Sequence, residues 1–204
     1  AGQERPVFCA GADLKAINSG QAAGLNTKRG GFGGFVYRDR KKPVIAAVDG
    51  LATAGGCELV LACDMLVAST RSAFGLAEAT RNLIAGAGGL FRLPRAIGRA
   101  AAMEAILTGE PFSAQRAYEL GMVNKLVEPN TSLDAAIDLA LRVCKAAPLA
   151  VWASRKIVLA SETESDQNLI DMTNKEFAAV LASEDTKEGL TAFIEKRPPN
   201  WQGK

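Results

Sequence analysis

The sequence contains no histidine at any of its 204 positions. A Ser-His-Asp or Cys-His catalytic centre, an HExxH zinc site and a His-ligated haem all require histidine, so each of them is excluded. If the chain is an enzyme, its chemistry must depend on carboxylates, thiols, lysines or backbone dipoles.

Other features are scarce or missing. The net charge of +2, from 24 basic and 22 acidic residues, is too small to predict a nucleic-acid partner. Neither GxGxxG nor GxxxxGK[ST] occurs, which argues against a glycine-rich nucleotide loop. No apolar run reaches the roughly 18 residues of a membrane span. Residues 1–6 have no apolar signal core, so we expect no export.

The cysteines form no CxxC pair and stand among apolar neighbours. We therefore expect buried, reduced thiols, which are typical of a reducing compartment. The chain length allows one or two domains. The cysteines are Cys9, Cys57, Cys63 and Cys144.

The clearest secondary-structure signal begins at Pro43. The apolar, β-branched run over 43–48 predicts a buried strand, Gly55-Gly56 precede a short helix over 57–63, and 65–68 predicts the next strand. Strand, helix and strand within so short a span predict a parallel crossover and an α/β fold.

The flanking regions are predicted less sharply. Residues 18–35 are rich in glycine and predict a mobile surface loop, and 90–106 predicts a further helical region. The last third is predicted to be mainly helical. Its apolar residues at helical spacing could face either the core or an interface: Leu133, Ile137, Leu141 and Cys144.

Two features could support catalysis. A Gly-Gly pair at a helix start leaves N–H groups that favour developing negative charge, although a tight strand–helix turn gives the same pattern. Glu58 and Glu78 both stand among apolar residues, where a carboxylate is costly to bury unless it is paired or protonated. Either alone could be exposed or salt-bridged. Together they could straddle one substrate and share acid and base roles.

A series of motifs along the whole chain resembles the crotonase (enoyl-CoA hydratase/isomerase) superfamily in order and spacing. The matching segments are 8–15 (FCAGADLK), 43–50 (PVIAAVDG), 54–59 (AGGCEL), 62–64 (ACD), 74–78 (FGLAE), 86–89 (GAGG), 92–94 (RLP), 107–109 (LTG) and 192–197 (AFIEKR).

The resemblance implies an α/β spiral of ββα units with a helical C-terminal region that forms trimers, often paired as hexamers. It places a crotonase core over residues 1–132 and the helical region over 133–204. Family members usually carry a longer N-terminal segment, so we expect their first strands to be absent here. The implied location is the cytoplasm of a bacterium, or the mitochondrial matrix of a eukaryote.

The resemblance also implies an enoyl-CoA hydratase, a hydro-lyase that adds water across the 2,3 double bond of a trans-2-enoyl-CoA thioester. The N–H groups of Ala12 and Gly55 would form an oxyanion hole for the thioester carbonyl. Glu58 would activate the water and Glu78 would manage the proton at Cα. The N–H of Gly86 would help to position the water.

For the substrate's coenzyme A moiety, the resemblance implies a binding site that a neighbouring subunit completes. It implies no separate cofactor, because coenzyme A is part of the substrate, and no metal, nucleic acid or membrane partner. The implied contacts are Ala10, Asp13, Leu14 and Lys15, with Phe193 and Lys196 from the neighbour.

The sequence departs from the family pattern at Ala54, where many relatives have glycine, and at Ala85, where many have proline. We expect both to adjust loop shape without abolishing chemistry. Segments 30–35, 92–95 and 196–201 resemble the carnitinyl-CoA dehydratase (crotonobetainyl-CoA hydratase) branch, which is the main alternative. An enoyl-CoA isomerase, a CoA-thioester hydrolase and a non-catalytic RNA-binding member are more distant alternatives.

Overall fold

The computed structural model describes residues 6–204, apart from the side chain at position 22. Residues 1–5, part of the segment expected to lack an export signal, lie outside the described residues. The chain forms two compact units. The first comprises the described residues up to Arg40 and Val44–Asp138, and the second comprises Lys41–Pro43 and Leu139–Lys204. The domain division at 132/133 stays a prediction.

Short strands supply the framework of the first unit. Those found among residues 6–204 are β1 (Val7–Cys9), β2 (Asn26–Thr27), β3 (Gly31–Phe32), β4 (Ile45–Val48), β5 (Leu51–Thr53), β6 (Met65–Ser69), β7 (Ala73–Gly75), β8 (Phe112–Ser113) and β9 (Lys125–Val127). β4, β6 and β9 form one parallel sheet. β1, β5 and β7 pair in parallel in a second sheet, to which β8 adds an antiparallel strand.

Helices connect the strands of the first unit and form most of the second unit. They are α1 (Leu14–Asn18), α2 (Gly55–Leu61), α3 (Gly89–Ile97), α4 (Arg99–Thr108), α5 (Ala114–Glu119), α6 (Ser132–Cys144), α7 (Pro148–Ala160), α8 (Asp166–Leu181) and α9 (Glu184–Glu195). No helix within residues 6–204 combines the length and apolarity that crossing a bilayer requires.

Chain order explains the architecture. β4 belongs to one sheet and β5 to the other, and α2 leads the chain back to the first sheet. There β6 pairs with β4, and the next strand, β7, pairs with β5 in the second sheet. Two helices, α3 and α4, follow. Each turn therefore adds one strand to each sheet before a helix, which confirms the predicted ββα spiral. The apolar 43–48 run is only half-buried: Ala46 and Val48 are buried, and Val48 is fully inaccessible in the core beside Phe74 and Leu93.

The structure differs from the sequence predictions in several places. The 18–35 segment contains a 3-10 turn and the β2–β3 hairpin, and it runs directly into the buried Val36. The helical region predicted over 90–106 is divided into two helices, because Gly98 takes a φ of 80° between them. Of the four cysteines expected to be buried, Cys57 is buried, Cys9 and Cys63 are partly buried and Cys144 is exposed; none of them forms a disulfide.

The helices of the second unit expose much apolar surface. α7 and α8 contain no buried residue. The predicted stripe on α6 is also exposed at Leu133, Ile137 and Leu141, while the helix buries Ala135 and Ala136. The stripe therefore does not serve the core of this chain.

Candidate active site

A cavity of about 580 Å³ lies in the first unit. Its walls come from the loop after β1, the start of α2, the 3-10 turn at Glu78–Arg81 and the loop before α3. Most of the predicted site residues line it: Ala10, Ala12, Leu14, Gly55, Glu58, Glu78 and Gly86. Residues separated by up to about 75 positions thus meet at one place because parallel strands present their carboxyl ends at the same edge.

Glycine at position 11 lets the Ala12 loop approach α2. Gly11 has a φ of 93°, and a Cβ on it would lie 2.7 Å from the backbone nitrogen of Gly55. The ring of Phe32 also packs against Gly55, since a Cβ on Gly55 would lie 2.6 Å from that ring and 3.3 Å from the Cα of Gly11. The space around the start of α2 therefore requires glycine at both positions.

Glu58 lies in the first turn of α2 and is buried, with 3% of its surface exposed. Its Oε1 accepts two hydrogen bonds, from Ala87 N–H at 2.7 Å and from Gly89 N–H at 2.9 Å. Desolvation raises the pKa of Glu58, while these two N–H groups and the charge of Arg92 act to lower it. Burial dominates, so the pKa of Glu58 is raised overall, and the two N–H groups and Arg92 limit that rise.

Glu78 begins the 3-10 turn after β7 and is partly buried. Its Oε2 atom is buried and has no hydrogen-bond partner among the described residues. Desolvation raises the pKa of Glu78, and the nearby charge of Glu58 raises it further. An unsatisfied carboxyl oxygen beside a cavity favours binding of water or a polar substrate group.

Apolar side chains form much of the remaining wall. They are Ile17, Leu25, Phe32, Leu83 and Ile84, and the cation Arg81 lies among them. The glycine-rich segment contributes Leu25, Asn26 and Phe32 to the cavity wall. Within residues 6–204, no three cysteine, aspartate or glutamate side chains converge in a way that could hold a metal ion.

The other predicted contacts for coenzyme A lie on exposed helix ends. Asp13 is the N-cap of α1, and its side chain accepts a hydrogen bond from the backbone N–H of Lys15, which is exposed. Phe193 and Lys196 belong to the second unit, at the end of α9, where Phe193 is 84% exposed. The structure of the single chain leaves these roles as predictions.

Sequence reasoning missed the groups that hold Glu58. Ala87 and Gly89 donate to it, and Arg92 and Tyr37 contact the loop that carries those donors. The Gly-rich stretch over 86–89 before a helix was the available signal, because free N–H groups at a helix start bind carboxylates. No local signal connects Tyr37 with this loop, since 49 positions separate it from Gly86.

Comparisons with known proteins agree with this geometry. Residues 1–204 match the family described as enoyl-CoA hydratase/isomerase. The carnitinyl-CoA dehydratase of Proteus mirabilis (strain HI4320) is 41% identical over 202 residues, covering 97% of this chain and 77% of the relative. Solved structures of enoyl-CoA hydratase EchA1 from Mycobacterium marinum and of enoyl-CoA hydratase from Mycobacterium tuberculosis H37Rv each give a TM-score of 0.92 at 48% identity, covering 97% of this chain and 77% of theirs.

The sequence motifs, the ββα spiral and these relatives lead to the same assignment. The chain belongs to the enoyl-CoA hydratase/isomerase family, within the crotonase superfamily.

Proposed function

We propose that this chain is an enoyl-CoA hydratase that adds water reversibly across the 2,3 double bond of a trans-2-enoyl-CoA thioester. One observation carries the proposal: Glu58, Glu78, Ala12 and Gly55 all line a single cavity. A hydration needs a base for the water, a proton for Cα and donors for the enolate oxygen, and these residues can supply all three.

In the proposed reaction, Glu58 takes a proton from the water as its oxygen bonds to Cβ. Negative charge then develops on the thioester oxygen, where the N–H groups of Ala12 and Gly55 would stabilise it. Glu78 gives a proton to Cα and the carbonyl re-forms. The N–H of Gly86 would help to hold the water in line.

The two carboxyl environments support this division of roles. Glu58 accepts hydrogen bonds from two backbone N–H groups and interacts with the charge of Arg92. Each of these three interactions favours the ionised form of Glu58. Glu78 has an unpartnered oxygen and faces the charge of Glu58, which favours its protonated form. Burial raises the pKa of both carboxyl groups; the backbone donors and Arg92 oppose the rise at Glu58, whereas the charge of Glu58 adds to the rise at Glu78.

Binding of the coenzyme A moiety is proposed along the exposed α1 side of the cavity. Ala10 and Leu14 line the cavity itself, and Asp13 and Lys15 lie on the same short segment. The ammonium group of Lys15 would interact with the negative charge of the coenzyme A phosphates. Phe193 and Lys196 would act on a neighbouring subunit's site, which requires an oligomer.

Substitution of each glutamate tests the proposal. We expect Glu58→Gln and Glu78→Gln each to reduce crotonyl-CoA hydration by about 10²–10⁴-fold, because each removes a proton-transfer group and keeps the shape of the side chain. Loss of the enoyl-thioester absorbance measures the rate. Glu104→Gln, at an exposed position on α4, is the matched control and should keep wild-type activity. Near-normal turnover in either active-site variant would refute the assignment.

A carnitinyl-CoA dehydratase is the second candidate, favoured by the name of the Proteus relative. Its substrate carries a quaternary ammonium group, which would meet the like charge of Arg81 and the apolar wall of this cavity. These lining residues favour an uncharged acyl chain. A panel of enoyl-CoA thioesters that includes crotonobetainyl-CoA separates the two, and release of free thiol would instead indicate a thioester hydrolase.

We also propose that the chain works as a homotrimer or a hexamer. α7 and α8 bury no residue within the chain, although they carry large apolar side chains. Contiguous exposed apolar surface of this kind is typical of subunit interfaces. The resemblance to trimeric family members supports the same conclusion.

A further inference from the structure

Glu58 is held by a loop whose peptide groups are themselves fixed at their far ends. The peptide between Gly86 and Ala87 donates its N–H to Glu58, and its carbonyl oxygen, on Gly86, accepts a hydrogen bond from the Tyr37 hydroxyl at 3.1 Å. In a trans peptide the N–H and C=O point in opposite directions. Tyr37 and Glu58 therefore hold opposite ends of one peptide plane.

Arg92 holds the neighbouring peptides. Its backbone N–H donates at 3.0 Å to the carbonyl of Gly88, whose peptide presents the Gly89 N–H to Glu58. Its guanidinium donates to Ala87 O at 3.1 Å and to the carbonyl of the buried Val36 at 2.7 Å. The fork of Arg92 thus joins the loop before α3 to the end of the glycine-rich segment.

Tyr37 and Arg92 also contact each other. The guanidinium carbon lies 5.6 Å from the centre of the Tyr37 ring and 5.1 Å from that of Phe91. This stacking restricts the rotamers of both side chains, because a cation over an aromatic face is attracted to it. The glycine at 88 is needed for this arrangement, since a Cβ there would lie 2.2 Å from the guanidinium.

We propose that Tyr37 and Arg92 are positioning residues for Glu58: they fix the Gly86–Gly89 loop so that the N–H groups of Ala87 and Gly89 stay aimed at Oε1. The proposal rests on the proposed function, in which Glu58 is the general base. Neither side chain needs to touch the substrate. A base aimed in this way keeps its reacting oxygen in place as the substrate and water change charge.

The charges around Glu58 determine how its titration should respond. Arg92 faces it from α3, Glu78 from the turn after β7, and the thiol of Cys57 lies beside it on α2, with Arg81 next to Glu78. Loss of the Arg92 charge removes a group that favours the carboxylate. The acidic limb of the kcat/KM profile should then move to higher pH, because that limb reports ionisation of the base.

Three variants separate positioning from simple structural support. Tyr37→Phe keeps the ring and removes the hydroxyl, and we expect kcat to fall about 5–10-fold, the equivalent of one hydrogen bond, with KM within about twofold. Arg92→Gln should lower kcat further and move the acidic limb to higher pH. Arg92→Lys keeps the positive charge but loses the two-pronged guanidinium. We therefore expect kcat to fall, while the acidic limb of the pH profile moves less than in Arg92→Gln. Tyr118→Phe and Arg95→Gln are the controls, and Arg95 stacks on the same Phe91 ring.

A second readout does not depend on turnover. The full chain is labelled at glutamate carboxyl carbons, the Glu58 signal is identified from its loss in Glu58→Gln, and its titration is followed by NMR in each variant. We expect the Glu58 midpoint to rise in Arg92→Gln and, by less, in Tyr37→Phe. If the wild type hydrates no thioester of the panel, the proposed function fails, and this titration still decides the present inference.

The inference would be overturned if Tyr37→Phe left three quantities unchanged: kcat, the acidic limb of the kcat/KM profile and the titration of Glu58. Melting curves confirm that each variant is folded. Should Arg92→Gln fail to fold, Tyr37→Phe decides alone, since it removes a single oxygen from an exposed side chain.

Discussion

Glu78 illustrates how a single residue combines a functional role with a cost to the fold. Its carboxyl group has a buried oxygen with no hydrogen-bond partner within residues 6–204, and burial raises its pKa above the ordinary value. The ionised form is therefore disfavoured in the folded chain relative to the unfolded one. An active site commonly keeps such a group because the reaction requires it.

The prediction at this scale is that Glu78→Gln stabilises the protein near neutral pH. A raised folded pKa contributes stability that is present below the unfolded pKa and is lost as pH rises through the folded pKa. The variant cannot ionise, so its advantage should be largest near pH 7 and vanish near pH 4 and below. We expect a gain of about 2–4 °C in melting temperature at pH 7, the shift that accompanies about 1 kcal/mol in a chain of this length.

Thermal unfolding followed by circular dichroism across pH measures this effect. Glu104→Gln, exposed on α4, should change the melting temperature little at any pH. A Glu78→Gln variant that is less stable than the wild type at pH 7 would show that its charge is compensated in the folded chain.

At the scale of elements, the start of α2 carries backbone strain. Ala54 is the N-cap of α2 and has φ of 51° and ψ of −130°, a conformation that favours glycine. It directly precedes Gly55, whose N–H is proposed to form part of the oxyanion hole. The alanine that distinguishes this chain from many relatives is thus tolerated at a position where a Cβ is costly.

We expect Ala54→Gly to raise the free energy of unfolding by about 1 kcal/mol, because glycine relieves the strain. Denaturant unfolding measures it. Ala147→Gly is the matched control, since Ala147 is also an alanine N-cap, of α7, but has φ of −60°. There glycine should give no comparable gain. Equal effects at the two positions would assign the change to helix capping and not to the positive φ.

At the scale of the whole molecule, the second unit is incomplete as a packed structure. On α8, Ile170, Phe177 and Leu181 recur at spacings of seven and four, which places them on one face, and all three are more than half exposed. A face of this composition is stable in water chiefly when another surface covers it. This surface is where we expect subunits to meet.

The corresponding prediction concerns association. The wild-type chain of 21.4 kDa should sediment as a trimer or hexamer at micromolar concentration, whereas Phe177→Ser with Leu181→Ser should shift it toward the monomer. Lys175→Gln, on the opposite side of α8, should leave the assembly unchanged. Sedimentation velocity measures the distribution, and a monomeric wild type would contradict the prediction.

Particular elements show how far sequence reasoning reached. β4, α2 and β6 were predicted because each has a local pattern of apolar residues or glycines that is sufficient by itself. β5 and β7 were missed, because a strand of three residues is defined by its pairing partner more than by its own composition. The break at Gly98 was missed for a related reason: helical periodicity continues on both sides of it.

The sequence by itself determined the fold class, the family and the two candidate acid–base residues. The ordered motifs along the chain indicate the fold class and the family. The absence of histidine and the two glutamates among apolar residues indicate the acid–base pair. These are local properties or matches of spacing. Only the tertiary structure decided which groups hold Glu58, that Glu78 keeps an unsatisfied oxygen, and that Tyr37 and Arg92 fix the loop between 86 and 89. Such contacts join residues that are far apart in the chain. The distances between these residues, and whether water reaches them, depend on how the chain folds.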